Sequence, residues 1–350
     1  MNIKHKSNSK RKLYIKKFIY LSINRLRINK LFEVLTSSRS RILAYHGVSK
    51  TLPKLFNWQH IPEDIFIRQM EHIKKYYNVI PIDVLLNDII NKRLIHRKTI
   101  SLSFDDGYEN NFSVAYPILK EMGLPAAIFI STSFIGKNYK SLWFDKLYNA
   151  FVQYSANSLN LSMFGIGVID TSNTENKLKA ISFITEQLKL LTTEDRDKLI
   201  GNILPIMTQG VPEKFYFPGM SWDQIKILAN DPLITIGGHG HTHAILTKLD
   251  LTDASKEIFL NKFLIEEHIK RNIFVFAYPN GNWNTDIINI LRQAGYKFAM
   301  TTKEGFVTSD PFLVNRLTVR NPSTLENFQA LTSGVIPLIK SSDRKYLNVE

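Results

Sequence analysis

The chain contains no cysteine. Disulfide frameworks, thiolate metal sites and cysteine nucleophiles are therefore excluded, and the redox compartment is left open. Acidic residues are missing from the N-terminus: residues 1–32 carry ten Lys or Arg and no Asp or Glu. Removing those ten charges from the net +14 leaves +4 on the other 318 residues, so the basicity belongs to one end of the chain. No RNP, zinc-finger or helix-turn-helix signature accompanies it, so a nucleic-acid partner is not expected. Long apolar runs are absent from the same segment. Phe18–Asn24, its longest uncharged stretch, is far short of the roughly 20 apolar residues that a bilayer requires. A brief apolar stretch with no small-residue cleavage site also makes a poor secretory signal. Residues 1–40 read as a basic amphipathic segment. Residues 1–32 either contact an anionic membrane surface or form a solvated leader helix. The chain is expected in the cytoplasm or at the periphery of a membrane.

What remains is ordinary for a globular protein, with 44% hydrophobic and 22% charged residues. Apolar, β-prone runs fall at Arg41–Tyr45, Val79–Ile82, Thr99–Phe104, Ala126–Ser131, Ile234–Gly238, Phe274–Tyr278 and Lys297–Thr301. A last strand-like stretch spans Leu313–Val319. Helical periodicity separates several of them, at Glu63–Tyr76, Asn111–Met122 and Thr285–Ala294. Strand and helix in alternation predict a parallel α/β architecture: a TIM-like barrel, or failing that a doubly wound open sheet. One domain over residues 41–340 is expected. Residues 137–219 break the rhythm and read as a helical insertion, with helices at Ser141–Tyr154, Glu175–Leu191 and Thr193–Met207. The last ten residues read as frayed.

The informative polar residues stand just after the strands, at the edge where parallel α/β folds place their sites. Thr99–Phe104 runs into Asp105-Asp106-Gly107. Ile234–Gly238 runs into His239-Gly-His241-Thr-His243. Arg41–Tyr45 ends at His46-Gly47, and Phe274–Tyr278 at Pro279-Asn-Gly281. Adjacent carboxylates repel unless a cation compensates, although an acidic Asp-Gly turn is a common bland alternative. Three histidines within five residues suit a divalent metal, and neighbouring glycines let the rings converge. A solvated polar loop is the competing reading. Two histidines and one carboxylate leave open positions for water and substrate. A second carboxylate beside such a site favours a hydrolase, which needs a base, over an iron oxygenase.

These residues resemble the polysaccharide deacetylases of the NodB-homology type, carbohydrate esterase family 4. Phe104-Asp105-Asp106-Gly107-Tyr108 is similar to that family's first motif, and His239–His243 to its second, His-x-x-x-His. Phe276-Ala-Tyr-Pro-Asn-Gly281 is similar to its third. The resemblance covers about residues 41–320 and implies a distorted (β/α)7 barrel that removes N-acetyl, less often O-acetyl, groups from a glycan. It implies that Asp106, His239 and His243 bind one divalent metal, zinc first, with Co, Ni, Mn or Fe as alternatives. It makes Asp105 the base. Oxyanion or substrate contacts would come from the backbone near Tyr108 and from Tyr278 and Pro279. The substrate implied contains N-acetylhexosamine, in a polysaccharide or a lipid-linked glycan.

Several positions depart from the family's pattern. Gly240 and Ala244 replace a hydroxyl residue and a proline. Ala277 stands near the place of the third-motif arginine, and no Leu-x-x-His follows near the C-terminus. A branch with permuted motifs and an early Tyr-His is similar to Tyr45-His46-Gly-Val48, which carries the acid role to His46. Arg316 is the candidate replacement for the missing arginine, orienting Asp105. His241 is read as outside the ligand set. Trp143, Trp222 and Trp283 are either stacking platforms for sugar or core residues. Two rival readings are a non-catalytic glycan-binding protein on the same fold and a metal-independent glycosidase. The second would need carboxylates on opposite sides of the bond, which two adjacent aspartates do not supply, and it would leave the histidines unexplained.

Overall fold

In the computed structural model, residues 28–55, 57–136, 141–209, 214–321 and 324–338 are described. The extreme N-terminus and the last ten residues, for which a basic segment and a frayed end are expected, lie outside them.

Seven parallel strands close into a barrel: β1 (Arg41–Tyr45), β2 (Thr99–Phe104), β3 (Ala126–Ile130), β4 (Ile234–Gly238), β5 (Val275–Ala277), β6 (Phe298–Glu304) and β7 (Val314–Thr318). Each pairs with its sequence neighbour, and β1 closes the ring by pairing with both β2 and β7. β3 (Ala126–Ile130) and β5 (Val275–Ala277) read as continuous apolar runs because both faces are covered. On β2, Ile100, Leu102 and Phe104 join the large cluster beneath the helices. The alternate residues Thr99, Ser101 and Ser103 are buried on the other face, toward the lumen. That period of two makes Asp105 the next residue to face the lumen. The lumen itself is packed with Ile42, Phe129, Val275, Met300 and Val314.

One expected strand is different. Val79–Ile82 is not a stave of the barrel. Asn78–Val79 pairs briefly beside the start of β2, and Pro81 then caps a helix that begins at Ile82. Pro81 cannot donate a ladder hydrogen bond, and its fixed φ suits a helix entry. The seventh stave is the last strand-like stretch, Val314–Thr318.

The helices are α1 (Ile28–Leu35), α2 (Glu63–Tyr76), α3 (Ile82–Ile90), α4 (Tyr116–Met122), α5 (Trp143–Gln153), α6 (Thr174–Leu190), α7 (Thr193–Thr208), α8 (Trp222–Asn230), α9 (Leu251–Ile269), α10 (Thr285–Gln293) and α11 (Leu325–Thr332). Helix α3 plugs the lumen from below: Ile82, Leu85 and Leu86 belong to the same cluster as Ile42 and Phe129. Between β3 and β4, α5, α6, α7 and a hairpin (Ser158–Leu161 with Gly167–Asp170) share an apolar cluster of their own. Tyr108 and Phe134 from the barrel's upper edge pack into that cluster. Among the described residues, no helix is long and apolar enough to cross a membrane.

Candidate metal centre

Asp106 follows β2 in a left-handed conformation (φ +76°), and His243 ends the loop after β4 in another (φ +56°). Side chains other than glycine rarely hold that conformation, and it concentrates at functional sites. The two turns bring Asp106 Oδ1 to 3.2 Å from His239 Nε2 and 3.3 Å from His243 Nε2. All three residues are buried. His239 Nδ1 lies 2.7 Å from the carbonyl of Ala277. A carbonyl can only accept, so Nδ1 carries the proton and Nε2 offers its lone pair to the centre. His239 Nε2 and His243 Nε2 thus converge on one carboxylate oxygen of Asp106 in a buried site. The three residues converge closely enough to fit one divalent ion.

Asp105 points into the lumen, where Arg316 on β7 grips it with both terminal nitrogens, at 2.7 and 2.8 Å. Arg316 also donates to Ser103 Oγ and to the carbonyl of Thr301. The desolvation of a buried carboxylate would raise the pKa of Asp105, but the guanidinium outweighs it and holds it below its ordinary value. Asp106 is likewise held well below the carboxylate range: burial acts against ionisation, and the two imidazoles overcome it. Burial alone would lower the pKa of His239, yet the adjacent carboxylates of Asp106 and Asp105 raise it on balance. His46 sits at the end of β1, with Trp58 edge-on at 5.2 Å. Desolvation lowers its pKa, with Asp106 and Asp105 opposing.

These residues line one cleft of about 600 Å³. His46, Asp105, Asp106, His239, His243, Tyr278 and Arg316 form its floor, and Trp58, Trp143, Phe144, Leu178 and Ile181 form an apolar wall. Helix α6 therefore overlooks the candidate centre. Other predicted site residues are placed differently. The Tyr108 ring turns away into the helical cluster, donating from its hydroxyl to Asp145 at 2.8 Å. Tyr278 lines the cleft, but its hydroxyl is engaged by the Phe312 carbonyl at 3.1 Å. Pro279 is buried against Gly240. His241 is bonded to Thr132 at 2.8 Å, outside the converging set. Trp222 stacks on His268, away from the cleft.

Two residues that sequence reasoning passed over hold the histidine loop. Glu257 on α9 accepts from the backbone N–H groups of His241 and Thr242, each at 2.8 Å, and from the Thr242 hydroxyl at 2.7 Å. Asn261, one turn on, donates to the carbonyls of Ile130 and Gly240 at 2.8 and 2.7 Å. The signal for Asn261 was available. It occupies the buried stripe Ala254, Ile258, Asn261, Ile265, where an amide must have partners. Glu257 lies beside that stripe and looks like any solvated helix residue. Gly240 answers the same packing. It has φ +75°, and a Cβ there would stand 3.3 Å from Pro279 and 3.4 Å from Glu257.

A family model described as polysaccharide deacetylase matches residues 93–160 and 169–299, more than half of the chain. YxkH of Bacillus subtilis (strain 168), named as a polysaccharide deacetylase, is 32% identical over 100 residues, or 28% of this chain and 34% of that protein. The match therefore spans about a third of that relative's length. The Streptococcus pyogenes deacetylase PplD, solved with acetate, superposes with a TM-score of 0.52 at 19% identity, covering 84% of this chain and 98% of that one. IcaB from Ammonifex degensii gives 0.57 at 16% identity, covering 85% and 97%. At these identities the likeness to solved structures is one of fold.

Proposed function

The chain belongs to the polysaccharide deacetylase family, and from that premise we propose that it is a metal-dependent hydrolase acting on N-acetyl groups of a glycan. The carrying observation is the convergence of Asp106, His239 and His243 beside a second carboxylate that Arg316 holds ionised. We take the substrate to contain N-acetylhexosamine, with O-acetyl groups as the lesser alternative.

In this reading Asp106, His239 and His243 hold a divalent ion, zinc in the first instance. When bound, that ion supplies Lewis acidity to the attacking water and to the acyl oxygen. Asp105 accepts the proton of the attacking water. Its two bonds to Arg316 leave the carboxylate one orientation and keep it ionised, so it is ready as a base at neutral pH. His46, which follows the neighbouring strand β1 and lines the same cleft, protonates the departing amine, which leaves poorly as an anion. Because burial weakens its hold on a proton, the acid is depleted first as pH rises. The apolar wall of Trp58, Trp143 and Phe144 offers faces for a sugar ring and shields the centre from bulk water.

The test joins two measurements: elemental analysis of the purified protein, and acetate release from N-acetylhexosamine polymers, oligomers and lipid-linked sugars. Stoichiometric metal with acetate release from at least one member is expected. A metal-free protein that binds glycans without releasing acetate would establish the non-catalytic reading instead.

A further inference from the structure

Helix α1 turns much of its apolar surface outward. Of its polar residues, Asn29 is buried and accepts from Ser333 Oγ at 3.2 Å and Glu33 pairs with Lys98 at 3.2 Å, while Lys30 is exposed. Of its apolar residues, Ile28 and Phe32 are half-buried, and Leu31, Val34 and Leu35 are exposed by 58%, 64% and 65%. A surface helix of a globular protein ordinarily buries such residues. The three side chains stand at i, i+3 and i+4 and so form one continuous patch.

A second feature adjoins it. The backbone N–H of Lys98 donates to the carbonyl of Ser37 at 2.6 Å, which lays the loop between α3 and β2 against the end of α1. In that loop Leu94 is 96% exposed, and the exposed cations Lys92, Arg93 and Arg97 surround it. Arg93 is within 3.5 Å of Asp88, and Glu33 is answered by Lys98, so the neighbouring acids are matched. The patch lies at the N-terminal ends of β1 and β2, opposite the edge that carries the candidate centre. Residues 1–27, just upstream, add nine Lys or Arg and no acid.

We infer that this end of the barrel docks on an anionic lipid bilayer. Leu31, Val34, Leu35 and Leu94 enter the boundary between headgroups and acyl chains, and the surrounding cations lie over the lipid phosphates. Charge decides between this occupant and a second copy of the chain. A two-fold contact would press the same patch against itself and oppose like charges, whereas an anionic surface complements them.

The test uses the full chain and its sedimentation with vesicles of phosphatidylcholine, alone or mixed with phosphatidylglycerol. Binding to the mixed vesicles only, weakening as salt is added, is expected. A Leu31→Glu, Leu94→Glu double variant, which keeps residues 1–27, should bind at least about tenfold more weakly with unchanged circular dichroism. Leu94→Trp should bind as the parent does, with indole emission shifting to the blue on anionic vesicles. Undiminished binding by the double variant, or no spectral shift in the tryptophan variant, would overturn the inference. So would self-association of the parent that the double variant abolishes.

Discussion

Asp105 and Asp106 adjoin in the chain but are kept ionised by different partners, a guanidinium for one and two imidazoles for the other. Their substitutions should therefore separate. Asp105→Asn is expected to lower kcat by a factor of roughly 10² to 10⁴, while metal content by elemental analysis stays at the parent level. Asp106→Asn should lose the metal as well; equal metal loss in both variants would remove Asp105 from the role of base. Arg316 is buried with its carboxylate, so its removal leaves a buried charge without a partner. Arg316→Met should cost about 3–5 kcal/mol in a denaturant titration, far more than an exposed ion pair would. The pair Arg316–Asp105 was legible only in part. Asp105 is marked by its place at a strand end, but Arg316 lies more than two hundred residues away, in a strand-like stretch, and only the resemblance, through a missing arginine, suggests the pairing. Barrel closure, which no local pattern encodes, brings the two together.

The loop after β4 owes its shape to neighbours on both sides. Ser131, Thr132 and Ser133, beyond β3, bond to His239, Gly240 and His241, and Glu257 and Asn261 reach in from α9. These contacts fix the backbone from His239 to Thr242, and His243 follows in its left-handed turn. Glu257→Ala is expected to weaken metal binding by about 10- to 100-fold in a chelator competition, with the thermal transition only slightly lowered. An unchanged metal affinity would show that the loop keeps its form unaided. Elements with a strong period were plain from the sequence: α2 spans Glu63–Tyr76, where apolar spacing puts it. Val79–Ile82 was not plain, because a short apolar run fits a strand and a buried helix start equally well, and Pro81 decided for the helix. The hairpin Ser158–Leu161 with Gly167–Asp170 hid in a polar stretch whose alternation is only four residues long.

At the scale of the whole molecule, acid should loosen the fold through a residue outside the cleft. His60 is completely buried, stacks on Phe217 at 3.5 Å, and has no hydrogen-bond partner among the described residues for either ring nitrogen. Burial pushes its pKa down from 6.5 to about 3. The unfolded chain binds that proton more readily, so stability is full above pH 6.5 and falls as pH drops toward 3. Between pH 6.5 and 5 this one group accounts for roughly 2 kcal/mol. Denaturant melts at the two pH values should show the loss, and His60→Phe should reduce it; an equal loss in the variant would assign it to other groups. The barrel also has two unlike rims. One carries Asp106 and its histidines, the other the outward-facing leucines of α1. Between them run staves such as Thr99–Phe104, a rise of about 20 Å. A molecule seated on the second rim works at arm's length from its support. Docked as inferred above, it would hold its candidate centre nearer to a polymer strand standing off from the surface than to a sugar lying against the bilayer.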